Sequence, residues 1–197
     1  MRYLGIDLSL NRTGWFVFDD TGMKVIDYGA IDTPNKMPEM DKLLLIYNTI
    51  DKVCKSYRPV GCGIEKEFVG TNSQTALKLG HAHGALMIVL KLNDIPFTYY
   101  SVMTLKMQTV PDLKLTDENK KRKKGDQLKL EVQEEIYKIF NKNQFNKAHK
   151  TDETDAASAA YVYYKVKGLD IDNIKKQAEK EEKKKKKKVL QEKLKKK

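Results

Sequence analysis

An α/β fold, in which a mixed five-stranded sheet is flanked by helices, is what this sequence predicts. Three short apolar or alternating stretches follow one another within the first 31 residues, separated only by turn residues, and after them helical and strand patterns alternate. Strands that close together in sequence pair as a meander, whereas strands separated by helices run parallel, so the two halves make a mixed sheet. Size agrees. A chain of 197 residues, 40% hydrophobic with 10 Tyr, 6 Phe and 1 Trp, supplies one sizeable core and leaves two domains cramped.

The first three strands are expected at residues 2–8 (RYLGIDL), 13–19 (TGWFVFD) and 23–31 (MKVIDYGAI), with Asn11-Arg12 and the run Asp19 to Gly22 as turns. Met40, Leu43, Leu44, Tyr47, Ile50, Val53 and Cys54 recur at helical spacing across residues 39–57, and Pro59 stops that helix. A short strand follows at 60–65 (VGCGIE). A second long helix is expected at about 73–92, where small residues (Ala76, Gly80, Gly84) suggest close packing. Pro96 opens a fifth strand (PFTYYS), residues 102–110 read as a short helix, and 111–125 as a basic polar loop. Helices at about 126–141 and from Asp152 to Gly168 complete the chain's core. This is the order of elements of a ribonuclease H-like fold.

The formal net charge of +11 points to an acidic polymer as partner. Much of the excess sits in a lysine-rich, low-complexity tail. From Asp170 to the end there are 13 Lys against 6 acidic residues, with too few apolar side chains to fold, so two regions are expected: a domain over 1–168 and a tail over 169–197. That tail reads equally as a solubilising segment or as a phosphate-binding arm. No basic start leads into an apolar stretch and no 18 uncharged apolar residues run together, so a cytoplasmic protein without a membrane span is expected. Cys54 and Cys62 lack metal-ligand or disulfide spacing and are expected to be reduced and packed.

Four acidic residues stand out. Asp7 lies in an apolar first strand, where a carboxylate costs several kcal/mol to bury without a partner or a metal; capping of the next turn is the alternative reading. Glu65 ends the fourth strand in the same way, and Glu67, two residues on, competes for the same position. Asp152 and Asp155, at i and i+3, share one helix face about 5–6 Å apart at Cβ. Their alternative role is to favour the helix dipole. The run Ala156 to Ala160, small throughout, lets that helix lie close on the sheet and bring both aspartates to the strand ends. Four clustered carboxylates need neutralising, and oxygen-only ligation suits a pair of Mg²⁺ ions, with Mn²⁺ able to substitute. Such a pair serves phosphodiester hydrolysis.

The motifs resemble those of the RuvC Holliday junction resolvases. GIDLSLNRTGWFVFD resembles the family's opening strand, turn and second strand; IEKEFVGTNSQTALKLGHAHGALMIV is similar to its Ile-Glu-x-x-Phe strand end and the helix after it; DETDAASAAYVY resembles its closing Asp-x-x-Asp-Ala helix. The resemblance covers residues 2–166 and implies that Asp7, Glu65, Asp152 and Asp155 are the metal-binding carboxylates, which decides for Glu65 over Glu67. It further implies that Phe68 contacts bases at the branch point, that Lys106 lies near the scissile phosphate, and that Lys124 approximates a second such lysine. The loop PDLKLTDENKKRKKGD departs from the family's glycine-rich one, which leaves the second lysine's identity open.

The implied activity is a crossover junction endodeoxyribonuclease, acting as a homodimer on branched DNA with paired nicks. A broader nuclease for forks, flaps and Y-junctions is the alternative, as is a non-catalytic protein that binds branched DNA. Actin-like kinases share a Gly-Ile-Asp opening strand but need two such domains and a second phosphate loop, so no nucleotide cofactor is expected. His81 and His83, two apart on a helix, face different ways and read as surface or packed residues; His149, near the acidic pair, reads as a loop histidine without a role, its alternative being a contact to DNA or a metal-bound water, and Trp15 and tyrosines 161, 163 and 164 read as core or helix surface.

Overall fold

The computed structural model describes residues 1–66, 73–110, 125–145 and 151–168. Five strands, β1 (Arg2–Asp7), β2 (Arg12–Asp19), β3 (Lys24–Asp32), β4 (Cys62–Lys66) and β5 (Phe97–Ser101), form one sheet in the order β3-β2-β1-β4-β5. β1 pairs antiparallel with β2, and β2 with β3, while β1 and β4, then β4 and β5, run parallel. The meander and the crossovers predicted from spacing are both present. The helices are α1 (Glu39–Tyr57), α2 (Ser73–Leu92), α3 (Val102–Thr109), α4 (Gly125–Ile139) and α5 (Thr151–Tyr163). Helix α1 ends at Tyr57, as expected, two residues before Pro59, where Arg58 adopts a left-handed φ of 48° and its N–H caps the Cys54 carbonyl.

The strand alternation divides the core in two. Leu4, Ile6, Val17, Cys62 and Ile64 face α1 and α2, where Ile46, Ile50, Leu86, Val89 and Leu90 complete a fully buried cluster. On the other face Tyr3, Phe16 and Phe18 meet Phe140 and α5, with Phe18 edge-on to Phe140 at 4.9 Å between ring centres. Cys54 and Cys62 are free and buried, as expected, and burial pushes the Cys54 thiol up to about 12.

The chain divides into Met1–Tyr163 and Tyr164–Lys197. Of the second unit only Tyr164–Gly168 is described, a π-helical turn where a continuing α-helix was expected. The predicted tail, residues 169–197, lies outside the described residues. Among these, no helix is long and apolar enough to cross a membrane.

Candidate active site

The site begins with two neighbouring glycines. Gly5 of β1 and Gly63 of β4 are paired across the parallel ladder, and a Cβ added to either would fall 1.9 Å from the Ala156 carbonyl oxygen or 2.0 Å from that of Ala159. Both are therefore covered by the backbone of α5, which no side chain keeps away. From the helix side the matching condition is the alanine run, whose members Ala156, Ala157, Ala159 and Ala160 are all fully buried. Gly14 of β2 repeats the device, with the Asp152 carbonyl 2.3 Å from where its Cβ would be. Helix α5 thus lies on the sheet at backbone contact.

Two residues beyond each glycine, on the same face, come Asp7 and Glu65. They are direct partners in the β1–β4 ladder, so the two carboxylates start from backbones about 4.8 Å apart. Glu65 is not the strand's last residue as expected, since β4 continues to Lys66; Glu67 lies outside the described residues. Asp155, on the first turns of α5, joins Glu65 at a cleft with room of about 20 Å³ that Lys106 and Lys129 also line. That space holds about one water.

Lys129 of α4 is the cation of this group. Its ammonium lies 3.5 Å from Asp155 Oδ2, and the charge of Asp155, then those of Asp7 and Glu65, hold its pKa above the ordinary lysine value. The pKa of Asp155 is raised as well, but against its charged form: burial lifts it above the carboxylate norm, and the nearby charges of Lys129 and Lys106 offset that only in part. Lys106 is held here by α3, whose first turn is capped by Ser101 (Thr104 N–H to Oγ, 3.1 Å) and whose last residue, Thr109, bonds Ser158 of α5 at 2.6 Å.

Asp152 is directed elsewhere. Arg12, at the start of β2, donates from Nε to Asp152 (2.9 Å), from Nη2 to Glu153 (2.8 Å) and from Nη1 to both oxygens of Asp32 (2.7 and 2.8 Å). The guanidinium fork serves three carboxylates at once, an arrangement one ammonium cannot reproduce. Glu153 is only 3% exposed. Arg12→Gln is therefore expected to destabilise the fold by about 3 kcal/mol, because it strips a buried carboxylate of its guanidinium. Arg12→Lys should fall between, and urea midpoints of the three proteins check the order.

Asp155 thus pairs with Lys129 in a cleft that Glu65 and Lys106 also line, Asp7 is the ladder partner of Glu65, and Asp152 is withdrawn to Arg12. Phe68 and Lys124 lie outside the described residues, as does His149. His81 bonds Glu39 at 2.7 Å and His83 bonds the Tyr99 hydroxyl at 3.1 Å, both away from the site. Among the described residues no three acidic, histidine or cysteine side chains stand close enough to enclose a metal ion as placed. The donor set nonetheless fits a hard divalent cation: every candidate ligand is a carboxylate, and Asp155 already pairs with a cation, Lys129.

Lys129 and Arg12 are the residues the sequence reading missed. Lys129 carried a signal: with Val132, Ile136 and Phe140, all buried, it falls at the spacing of one helix stripe. Arg12 carried none, since two of its three acidic partners are some 140 residues away.

A family profile described as crossover junction endodeoxyribonuclease RuvC matches residues 3–157. The chain belongs to the RuvC family. Curated RuvC relatives include that of Syntrophotalea carbinolica, 36% identical over 56% of this chain and 70% of its own length. That of Chloroflexus aurantiacus is 35% identical over 54% of this chain and 66% of its own length, just short of two thirds. Both are named crossover junction endodeoxyribonucleases. Among solved structures, a Thermus thermophilus RuvC in complex with a Holliday junction substrate superposes with a TM-score of 0.66 at 19% identity, over 85% of this chain and 97% of that one. At that identity the likeness speaks for the ribonuclease H-like fold, which the five-stranded mixed sheet already displays.

Proposed function

We propose that this RuvC-family chain is a divalent-metal-dependent endodeoxyribonuclease that resolves four-way DNA junctions by paired, symmetric nicks. The observation that carries the reading is the cleft lined by Glu65, Asp155, Lys106 and Lys129, with Asp7 the ladder partner of Glu65. Two Mg²⁺ ions bound by Asp7, Glu65, Asp152 and Asp155, or Mn²⁺ in their place, would supply water activation and leaving-oxygen stabilisation. The chain's own residues do the rest. Lys106 and Lys129 place positive charge at the cleft mouth and orient a phosphate there, and Lys129, described at the site, takes the part assigned on sequence to Lys124. Phe68, three residues after Glu65, is assigned to the unstacked bases at the branch. Arg12 holds Asp152 at 2.9 Å and so sets where that carboxylate would meet an ion.

One carboxylate site cuts one phosphodiester at a time, and a junction with two-fold symmetry calls for an enzyme with the same symmetry. A homodimer formed through α2 meets that need. Its outer face leaves Leu77, Ile88 and Leu92 more than half exposed around Gly80 and Gly84, which have open space above them. The test uses a supercoiled plasmid carrying an extruded cruciform, with linear and three-way DNA alongside. A dimer making paired cuts yields linear plasmid early and spares linear DNA. Full accumulation of nicked circles before any linear form, by a protein that sediments as a monomer, would overturn the paired-cut reading; equal cutting of forks and flaps would replace it with a broader debranching nuclease.

A further inference from the structure

A second cation-bearing recess lies on the same edge of the sheet as the carboxylates, but on the face covered by α1 and α2. It is a cavity of about 290 Å³ between the β1–β2 turn, the segment after β3, and the first turns of both helices. Lys42 of α1 lines it and is only 9% exposed. Among the described residues its ammonium has a single partner, the Leu10 carbonyl at 3.5 Å, which already accepts the Thr33 hydroxyl at 2.6 Å. An ammonium carries three donors, and one at the limit of a single hydrogen bond, with no carboxylate against it among the described residues, has donors left to offer the cavity. Glu39, which also lines the cavity, is engaged by His81 at 2.7 Å.

Four further groups around the recess are of one chemical kind. Lys78 adds a second ammonium, and Asn11, Asn35 and Thr75 add amide and hydroxyl donors. Asn11 stands four residues after Asp7, in the turn that leaves the carboxylate end of β1, so the cavity and the carboxylates lie at the same end of the sheet. We propose that Lys42 and Lys78, with Asn11, Asn35 and Thr75, form a phosphate subsite that takes one backbone phosphodiester of bound DNA, apart from the phosphate at the carboxylates. The subsite reads no bases, since lysines and amides on a phosphate fix register and carry no sequence information. It rests on the nuclease reading above.

The experiment measures binding of a synthetic four-way junction in EDTA across a range of salt, for the wild type, Lys78→Gln, and the Lys42→Met, Lys78→Gln double variant. The methionine keeps the aliphatic stem that fills the interior. Removing the ammonium groups from one phosphate should flatten the slope of log K against log salt by about 0.9 in the double variant and by part of that in Lys78→Gln. A control with equal charge removed elsewhere, Lys24→Gln with Lys52→Gln, keeps the wild-type slope. Lys78 is on the surface, so its variant reports even where the double variant does not fold. An unchanged slope in both overturns the subsite, and a double variant that melts below Lys78→Gln at that unchanged slope makes Lys42 a strut for the Leu10 turn. Inorganic phosphate that raises the melting temperature of the wild type but not of the double variant, with equal DNA slopes, marks a small-anion pocket and also overturns it. Wild-type protein that binds no branched DNA would instead sink the nuclease reading itself.

Discussion

Asp155→Asn is expected to lose cleavage by more than about a hundredfold, yet to melt in EDTA at or above the wild type. The loss follows from the proposed ligand role: groups one step removed from a metal ligand already cost about 10–100-fold when replaced, so a ligand costs more. The gain follows from burial. Desolvation, the largest influence on Asp155, raises its pKa in the folded chain above the ordinary value of about 3.9, and Lys129 and Lys106 recover only part of that. An acid whose pKa is raised by folding contributes stability that is present below its unfolded pKa and lost as pH climbs through the folded pKa. At neutral pH the ionised carboxylate is therefore a cost, which the isosteric amide removes. The advantage of Asp155→Asn should be seen at about pH 7–8 and vanish near pH 3. Adding Mg²⁺ should reverse the order, because a ligand at a hundred times its Kd stabilises the wild type by about 2.7 kcal/mol and the variant has lost a ligand. Thermal melts with and without Mg²⁺, read beside a junction cleavage assay, check both halves. A variant that cuts at near wild-type rate removes Asp155 from the site; one that melts well below wild type in EDTA shows the Lys129 pair outweighing the burial cost.

How far the site was legible in the sequence follows from how local each signal is. Asp7 and Glu65 announced themselves because a carboxylate in an apolar strand is costly wherever the strand is placed, and pairing parallel strands puts them side by side. Asp152 and Asp155 were legible as a pair through helical spacing, but their separation was not. Only the fold brings Arg12 to Asp152 and Lys129 to Asp155. Lys129 was obscured by its surroundings: six of the residues from Lys120 to Lys129 are Lys or Arg, and composition gives no reason to choose among them. The mixed sheet was legible in full. Its glycines were not, because a glycine in a strand signals close approach only once the register shows Gly5 beside Gly63 and α5 above both.

That close approach leads to the second large effect. Gly5→Ala adds one methyl group, and for most strand positions facing a helix this is a minor change. Here the new Cβ would sit 1.9 Å from the Ala156 carbonyl oxygen and 2.6 Å from the Ala160 nitrogen, both backbone atoms with no flexible end to swing aside. Contact at an ordinary distance of about 3.5 Å requires α5 to recede by more than about 1 Å. Overpacking of this kind costs about 1–3 kcal/mol, occasionally more, and the rigidity of both elements places Gly5→Ala at the upper end. For a domain of this size that is a fall of about 6–12 °C in Tm. The functional consequence is separate from stability. Helix α5 carries Asp152 and Asp155, while Asp7 sits on β1 and Glu65 on β4, so any retreat of the helix opens the carboxylate group as a unit. A misplacement of about 1 Å between reacting groups can cost a hundredfold, and cleavage by the folded fraction should fall by that order. Gly22→Ala is the control: its φ of 71° makes it the more strained backbone, but nothing lies within 4 Å of a Cβ there. It should lose about 1 kcal/mol and keep full activity. Equal activity per folded molecule in Gly5→Ala and Gly22→Ala would show that the helix seat serves stability alone.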